Sequence, residues 1–133
     1  LILGTGHLTK EEVKYLVPLS KEMGVNKIII THPLYGVPGM TAEELSELTK
    51  YDGVYAEQLY ALMPIDHFSI EEIAEQIRAA GCSSTVLGTD LGQCQTEDPA
   101  KGMAHFLQLL STNGFSKEEI ELMGKINPTK LLE

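Results

Sequence analysis

The sequence predicts an α/β protein built from parallel β/α repeats, and three observations lead to this prediction. Apolar segments of buried-strand type alternate along the chain with segments that have the periodicity of amphipathic helices. Four helix starts carry the same motif, in which a Glu follows a Ser or Thr after three residues. The first three motifs begin at Thr9, Thr41 and Ser69, 32 and 28 residues apart, and this spacing is the length of one β/α unit.

Four segments are predicted to be strands because they are rich in Ile, Val and Leu, which favour the extended conformation. Each strand is followed by a helical pattern, so we expect a parallel sheet with right-handed crossovers. Four β/α units are half of an eight-fold barrel, which needs about 250 residues. The predicted strands cover residues 1–7, 27–32, 53–60 and 85–90.

The predicted helices each place apolar residues on one face, with Val13, Leu45, Ile73 and Phe106 among the residues expected in the core. Pro18 lies inside the first helical pattern and is expected to kink that helix or to end its first half. The helices are predicted over residues 10–23, 41–50, 69–80, 98–114 and 116–126, with a last apolar turn after Asn127-Pro128.

The length of 133 residues predicts a single domain over residues 1–133. The composition, with 43% hydrophobic and 22% charged residues, is typical of a globular protein. The net charge of −9 argues against nucleic acid or an anionic membrane as a partner. Because the chain has no long apolar run, no signal peptide and only two cysteines, we expect a cytoplasmic protein with reduced thiols. The chain opens at Leu1 inside a strand pattern, so we expect a processed or truncated part of a larger domain.

Three candidate metal ligands, His7, His32 and Asp90, each end a predicted strand. The carboxyl ends of parallel strands meet at one edge, where active sites are built. Two imidazoles and a carboxylate suit a divalent metal, zinc in the first place and manganese or iron as alternatives. Asp90 is also the candidate general base, because a carboxylate at a strand end can take a proton from bound water. It is not needed as a helix cap, since Asp98 already caps the next helix. The structural alternative is a rim histidine at His32, a loop histidine near a helix start at His7, and an Asx turn or a helix cap at Asp90.

Candidate substrate-binding residues are Gln58 and Tyr35, for a small-molecule substrate. Glu57 and Gln58 are neighbours on one strand and point to opposite faces, so only one of them can face the site. Tyr35 lies near the predicted rim, where it can line a pocket or pack.

Four motifs resemble the C-terminal half of amidohydrolase-superfamily proteins, in an uncharacterised branch of metal-dependent hydrolase-like barrels. They are Gly-His-Leu-Thr-Lys-Glu-Glu at 6–12, Ile-Thr-His-Pro at 30–33, Thr-Asp-Leu-Gly-Gln at 89–93 and Asn-Pro-Thr-Lys-Leu-Leu at 127–132. The resemblance implies strands 5 to 8 of a TIM-like (β/α)8 barrel. It also implies that His7, His32 and Asp90 bind metal and that Asp90 takes the proton of the attacking water.

The family's His-x-His pair on the first strand and its bridging residue on the fourth strand are absent from these residues. We therefore expect this chain alone to be inactive and to pair with a missing N-terminal half-barrel or with another copy of the chain. A lyase or aldolase without a metal is disfavoured, because no predicted strand ends in Lys. A non-catalytic barrel that binds or scaffolds stays open as the alternative.

Overall fold

A single four-stranded sheet forms the centre of the protein, described by a computed structural model over residues 1–133. All neighbouring strands are parallel, and their order in the sheet follows their order in the chain. The predicted parallel α/β architecture is therefore confirmed. The strands are β1 (Ile2–Gly4), β2 (Lys27–Ile30), β3 (Val54–Leu59) and β4 (Thr85–Gly88).

Helices follow every strand, and each begins near the residue that the sequence predicts. Four of them start with a complete capping box, in which the hydroxyl accepts from the amide of the Glu three residues later and the carboxylate accepts from the capping residue. Asp98 caps the helix that begins with Pro99, as predicted. The helices are α1 (Lys10–Glu22), α2 (Ala42–Thr49), α3 (Ile70–Ala80), α4 (Pro99–Thr112), α5 (Lys117–Glu121) and α6 (Asn127–Leu132).

The structure bears on two helical predictions. Of the two outcomes expected at Pro18, a kink or an end, the end is wrong, because helix α1 continues through this residue. Pro18 has no amide hydrogen, so the helix lacks one backbone hydrogen bond at this position. The tertiary contacts of the fully buried Val13 and Val17 compensate for this loss. At the other end of the chain, a π-helical turn over Leu122–Ile126 joins α5 to α6, so helical structure runs through Pro128 instead of breaking before it.

The core consists of two apolar clusters between the sheet and the helices. One cluster contains Ile28 and Ile30 of β2 packed with Val13 and Val17 of α1. The second cluster contains Phe106 of α4 among eleven buried residues. Most of the alternate side chains of the strands lie outside both clusters and point to the opposite face of the sheet, although Leu59, on the face of Tyr55 and Glu57, belongs to the second cluster. These alternate side chains include Ile2, Lys27, Ile29, Tyr55 and Glu57, all half-buried.

No helix of the protein combines the length and the apolar composition that a membrane span requires.

Candidate functional site at the carboxyl edge of the sheet

The three predicted ligands open onto one cavity at the carboxyl edge of the sheet. His7 follows β1, His32 follows β2 and Asp90 follows β4, and all three line a cavity of 240 Å3 together with Glu57. An adjoining cavity of 520 Å3 contains the same three residues. Its other lining residues are Tyr35, Val37, Ala61, Leu62, Ile65, Asp66 and Gln93. The parallel sheet thus brings together residues that lie up to 83 positions apart (from 7 to 90) in the sequence.

Two reciprocal hydrogen bonds join the ends of β1 and β2 and place the two histidines side by side. The amide of Gly6 donates to Thr31 Oγ1 at 3.1 Å, and the amide of Thr31 donates to Thr5 Oγ1 at 3.1 Å. The imidazole rings of His7 and His32 stack with centroids 4.8 Å apart and an interplanar angle of 24°. The Gly-Thr-Gly turn contributes to this geometry, since Gly6 has a left-handed backbone with φ of 60°.

The side chain of His32 is buried and incompletely satisfied. The residue is 5% exposed, and its Nδ1 has no hydrogen-bond partner. Burial lowers the pKa of His32, and the neighbouring His7 also lowers it, whereas Asp90 and Asp66 act in the opposite direction. The imidazole is therefore neutral near pH 7, the form in which histidine binds a metal.

The backbone is strained at two of the three predicted ligands. His32 has a φ of 27° and Asp90 a φ of 53°, both in the left-handed region that residues other than Gly occupy infrequently. Such strain costs about 1–3 kcal/mol per residue and is concentrated at active sites and ligand clamps. His67 has a φ of 64° as well, but it lines neither cavity.

Glu57, rather than Gln58, lies on the cavity. Gln58 is fully buried and lines neither cavity, because it shares a face of β3 with Val54 and Ala56, which pack in the core. Burial raises the pKa of Glu57, and the charge of Asp90 raises it further, whereas the backbone amide of His32 lowers it. The small apolar residues at 54 and 56 were the sequence signal for this choice of face.

Tyr35 lies where a substrate-contacting residue is expected. Its ring meets the ring of His32 edge-on, with centroids 5.1 Å apart, and it lines the larger cavity. Tyr35 is 38% exposed, so its ring can also contact a molecule that enters from solvent.

The residues fit a metal in chemical type and only in part in geometry. His32 Nδ1 is a buried nitrogen without a partner, and metal coordination satisfies such an atom. However, no group of three His, Cys, Asp or Glu side chains lies close enough together to hold an ion. The chain therefore presents an adjacent pair of imidazoles with Asp90 on the same cavity, which is less than a closed ligand set.

Fold and site together define an α/β protein with a histidine-lined cavity at the carboxyl edge of a parallel sheet. Residues 1–57 match a protein-family model described as "Family of unknown function (DUF6282)". The matched segment contains His7, His32 and Glu57, and it ends before Asp90. No curated protein and no solved structure matches the chain.

Proposed function

We propose that the chain is the strand-five-to-eight half of a (β/α)8 barrel and carries part of the site of a metal-dependent hydrolase of the amidohydrolase superfamily. One observation carries this proposal: His7, His32 and Asp90 come from three different parallel strands and open onto one cavity. The left-handed backbones of His32 and Asp90 add to its support, since strain of this kind is concentrated at functional sites.

In this proposal His7 and His32 hold a divalent metal, in the first place zinc, through neutral imidazoles. The metal would supply an activated water and polarise the carbonyl group of an amide, an ester or a related bond. Asp90 would bind the same metal beside the histidines and would accept the proton of the attacking water. Glu57 lies on the same cavity, and its raised pKa favours the protonated form relative to an ordinary Glu. Tyr35 contacts the substrate at the cavity mouth.

The remaining ligands would come from the missing N-terminal half of the barrel or from another copy of the chain. Both partners would also cover the sheet face that carries Ile2, Ile29 and Tyr55, which pack against neither helical cluster. We expect the isolated chain to bind metal weakly and to show no turnover.

A second candidate function is a non-catalytic barrel that binds or scaffolds and has lost full metal ligation. The absence of any three-donor group in the structure favours this alternative. Metal binding separates the two functions, because a scaffold does not need the unpartnered nitrogen of His32 to be filled.

Zinc affinity, measured by isothermal titration calorimetry, tests the proposal through a matched pair of variants. His32 and His67 both have a left-handed backbone. Both are replaced by Asn, because Asn tolerates this backbone conformation well among residues other than Gly. We expect His32→Asn to weaken zinc binding at least about tenfold, and His67→Asn to leave it unchanged. Equal affinity in the wild-type chain and both variants, or no binding at all, would favour the scaffold.

A further inference from the structure

A third cavity of 370 Å3 extends the candidate site toward the loop that follows β4. It shares Ile65 and Gln93 with the 520 Å3 cavity at the histidines, so the two cavities adjoin. We call this third cavity the outer cleft. Its lining residues are Pro64, Ile65, Leu91, Gln93, Gln95, Thr96 and Glu97.

The lining of the outer cleft combines apolar residues with side chains that can form hydrogen bonds. Pro64, Ile65 and Leu91 present apolar surface, and Ile65 is 46% exposed although it is a large aliphatic residue. Gln93 and Gln95 contribute amide groups that can both accept and donate hydrogen bonds. A ligand in this cleft can therefore bury an apolar group and place a polar group among the amides.

The charge of the cleft has one sign. Glu97 is the charged residue of the outer cleft, and the two cavities at the rim add Glu57, Asp66 and Asp90. No Lys or Arg lines any of the three cavities. An anionic group in the outer cleft would face Glu97 without a compensating cation, whereas an amine or amide N–H would face an acceptor.

Glu97 is held in place for this role by a buried residue. Tyr60 is 4% exposed, and its hydroxyl donates to Glu97 Oε1 at 2.6 Å. Oε1 is the only oxygen of this carboxylate that the bond engages, so Oε2 is left to accept from a ligand. A carboxylate that is fixed before binding loses less conformational entropy when a ligand arrives.

We propose that the outer cleft is a subsite for an apolar group joined to an amine or amide N–H donor, in a substrate whose reacting group lies at His7, His32 and Asp90. The position of the reacting group rests on the proposed function. The preference of the outer cleft for an N–H donor over an anion follows from its own lining and requires no metal. Substrates that place an apolar amine or amide group in the outer cleft are therefore favoured over substrates that place a phosphate or carboxylate there.

Three probes with the same apolar part test this preference: phenylpropylamine, phenylpropanamide and phenylpropanoate. Their binding to the 133-residue chain is followed by NMR shifts of the backbone amides. We expect the amine and the amide to bind with shifts at Ile65, Leu91 and Gln93, and the carboxylate to bind about tenfold more weakly. Equal binding of all three probes, binding elsewhere on the surface, or no binding overturns the proposal.

Three variants assign the effect to the cleft. Ile65→Ser should weaken the binding of all three probes. Met23→Ser should weaken none of them, because this 77% exposed apolar residue directly follows α1 and lines none of the three cavities. Glu97→Gln keeps an acceptor for Tyr60 and should reduce the difference between amine and carboxylate to about twofold or less. An undiminished preference in Glu97→Gln would overturn the role of Glu97.

Zinc affinity measured on the same samples separates the two proposals. If zinc binds through His32 while the three probes do not discriminate, the outer cleft is not the proposed subsite and the hydrolase proposal stands. If the probes discriminate as expected while zinc does not bind, the subsite stands and the metal-dependent function falls.

Discussion

The hydroxyl of Tyr60 donates a hydrogen bond to the carboxylate of Glu97, with the two oxygens 2.6 Å apart. His105 Nδ1 of α4 lies 2.8 Å from the same hydroxyl oxygen. Tyr60 directly follows β3, and Glu97 lies near the end of the loop that joins β4 to α4. The bond therefore ties this loop, which carries Asp90 and lines the outer cleft, to the edge of the sheet.

Removing this hydroxyl should destabilise the protein and loosen the loop. We expect Tyr60→Phe to lower the free energy of unfolding by about 1–2 kcal/mol at neutral pH, because a hydrogen bond to a charged group is lost while the ring stays packed. Urea denaturation measures the change. Unchanged stability would mean that solvent replaces the bond without cost.

The stabilisation by the Tyr60 hydroxyl should depend on pH in the alkaline range. Burial raises the pKa of Tyr60 from 10.0 to about 12, and the hydrogen bond to Glu97 and its charge also raise it. Because the folded pKa lies above the unfolded one, the stabilisation is complete below pH 10.0 and is lost as the pH rises through about 12. The stability difference between wild type and Tyr60→Phe should shrink over that window. A difference that stays constant would contradict the raised pKa.

Two fully buried amides provide a matched test of hydrogen bonding in the core. Neither polar atom of the Gln58 side chain has a partner, whereas Asn127 Nδ2 donates to the carbonyls of Cys82 and Thr85 at 2.8 and 2.7 Å. We expect Gln58→Met to raise the free energy of unfolding by about 1 kcal/mol, and Asn127→Leu to lower it by about 2–3 kcal/mol. Chemical denaturation of both variants measures these changes in the free energy of unfolding. Destabilisation by Gln58→Met would show that its amide is satisfied in solution.

Relief of backbone strain at the candidate site should stabilise the fold. Asp90 has a φ of 53°, which Gly adopts without strain, so Asp90→Gly should raise the free energy of unfolding by about 1 kcal/mol. Thr89→Gly is the control, since Thr89 has no positive φ. This variant should lower the free energy of unfolding by about 0.5–1 kcal/mol through backbone entropy, and it also removes the long hydrogen bond of 3.4 Å from the Leu91 amide to Thr89 Oγ1. Thermal unfolding compares the two variants. Destabilisation by Asp90→Gly would mean that the carboxylate stabilises the loop.

Acid should weaken the contact between α1 and α2. A hydrogen bond from Lys14 lowers the pKa of Glu44 from 4.5 to about 2, with further contributions from the Thr41 amide and from Lys10. Since the folded pKa is depressed, this stabilisation is present above pH 4.5 and is lost as the pH falls through about 2. Lys14→Met should shrink the acid-dependent part of the unfolding curve. The effect should be modest, because these side chains contact solvent; a curve identical to wild type would contradict it.

The sequence by itself determined the elements and their parallel order. Capping boxes at Thr9 and Ser69 act through residues three positions apart, so their geometry depends on local sequence alone. Strand-helix alternation with short connections admits few topologies besides a parallel sheet, which places His7 and His32 at the same edge. The positions of the candidate ligands at strand ends followed from the same local patterns.

Only the tertiary structure decided which side chains meet and in which state. The register of β3 turned Glu57 to the cavity and Gln58 into the core, because one step along a strand reverses the face. The left-handed backbones of His32 and Asp90, and the bond from Tyr60 to a carboxylate 37 residues away, depend on contacts between distant segments. Local sequence patterns do not predict such contacts, since their free energy arises only when packing brings the segments together.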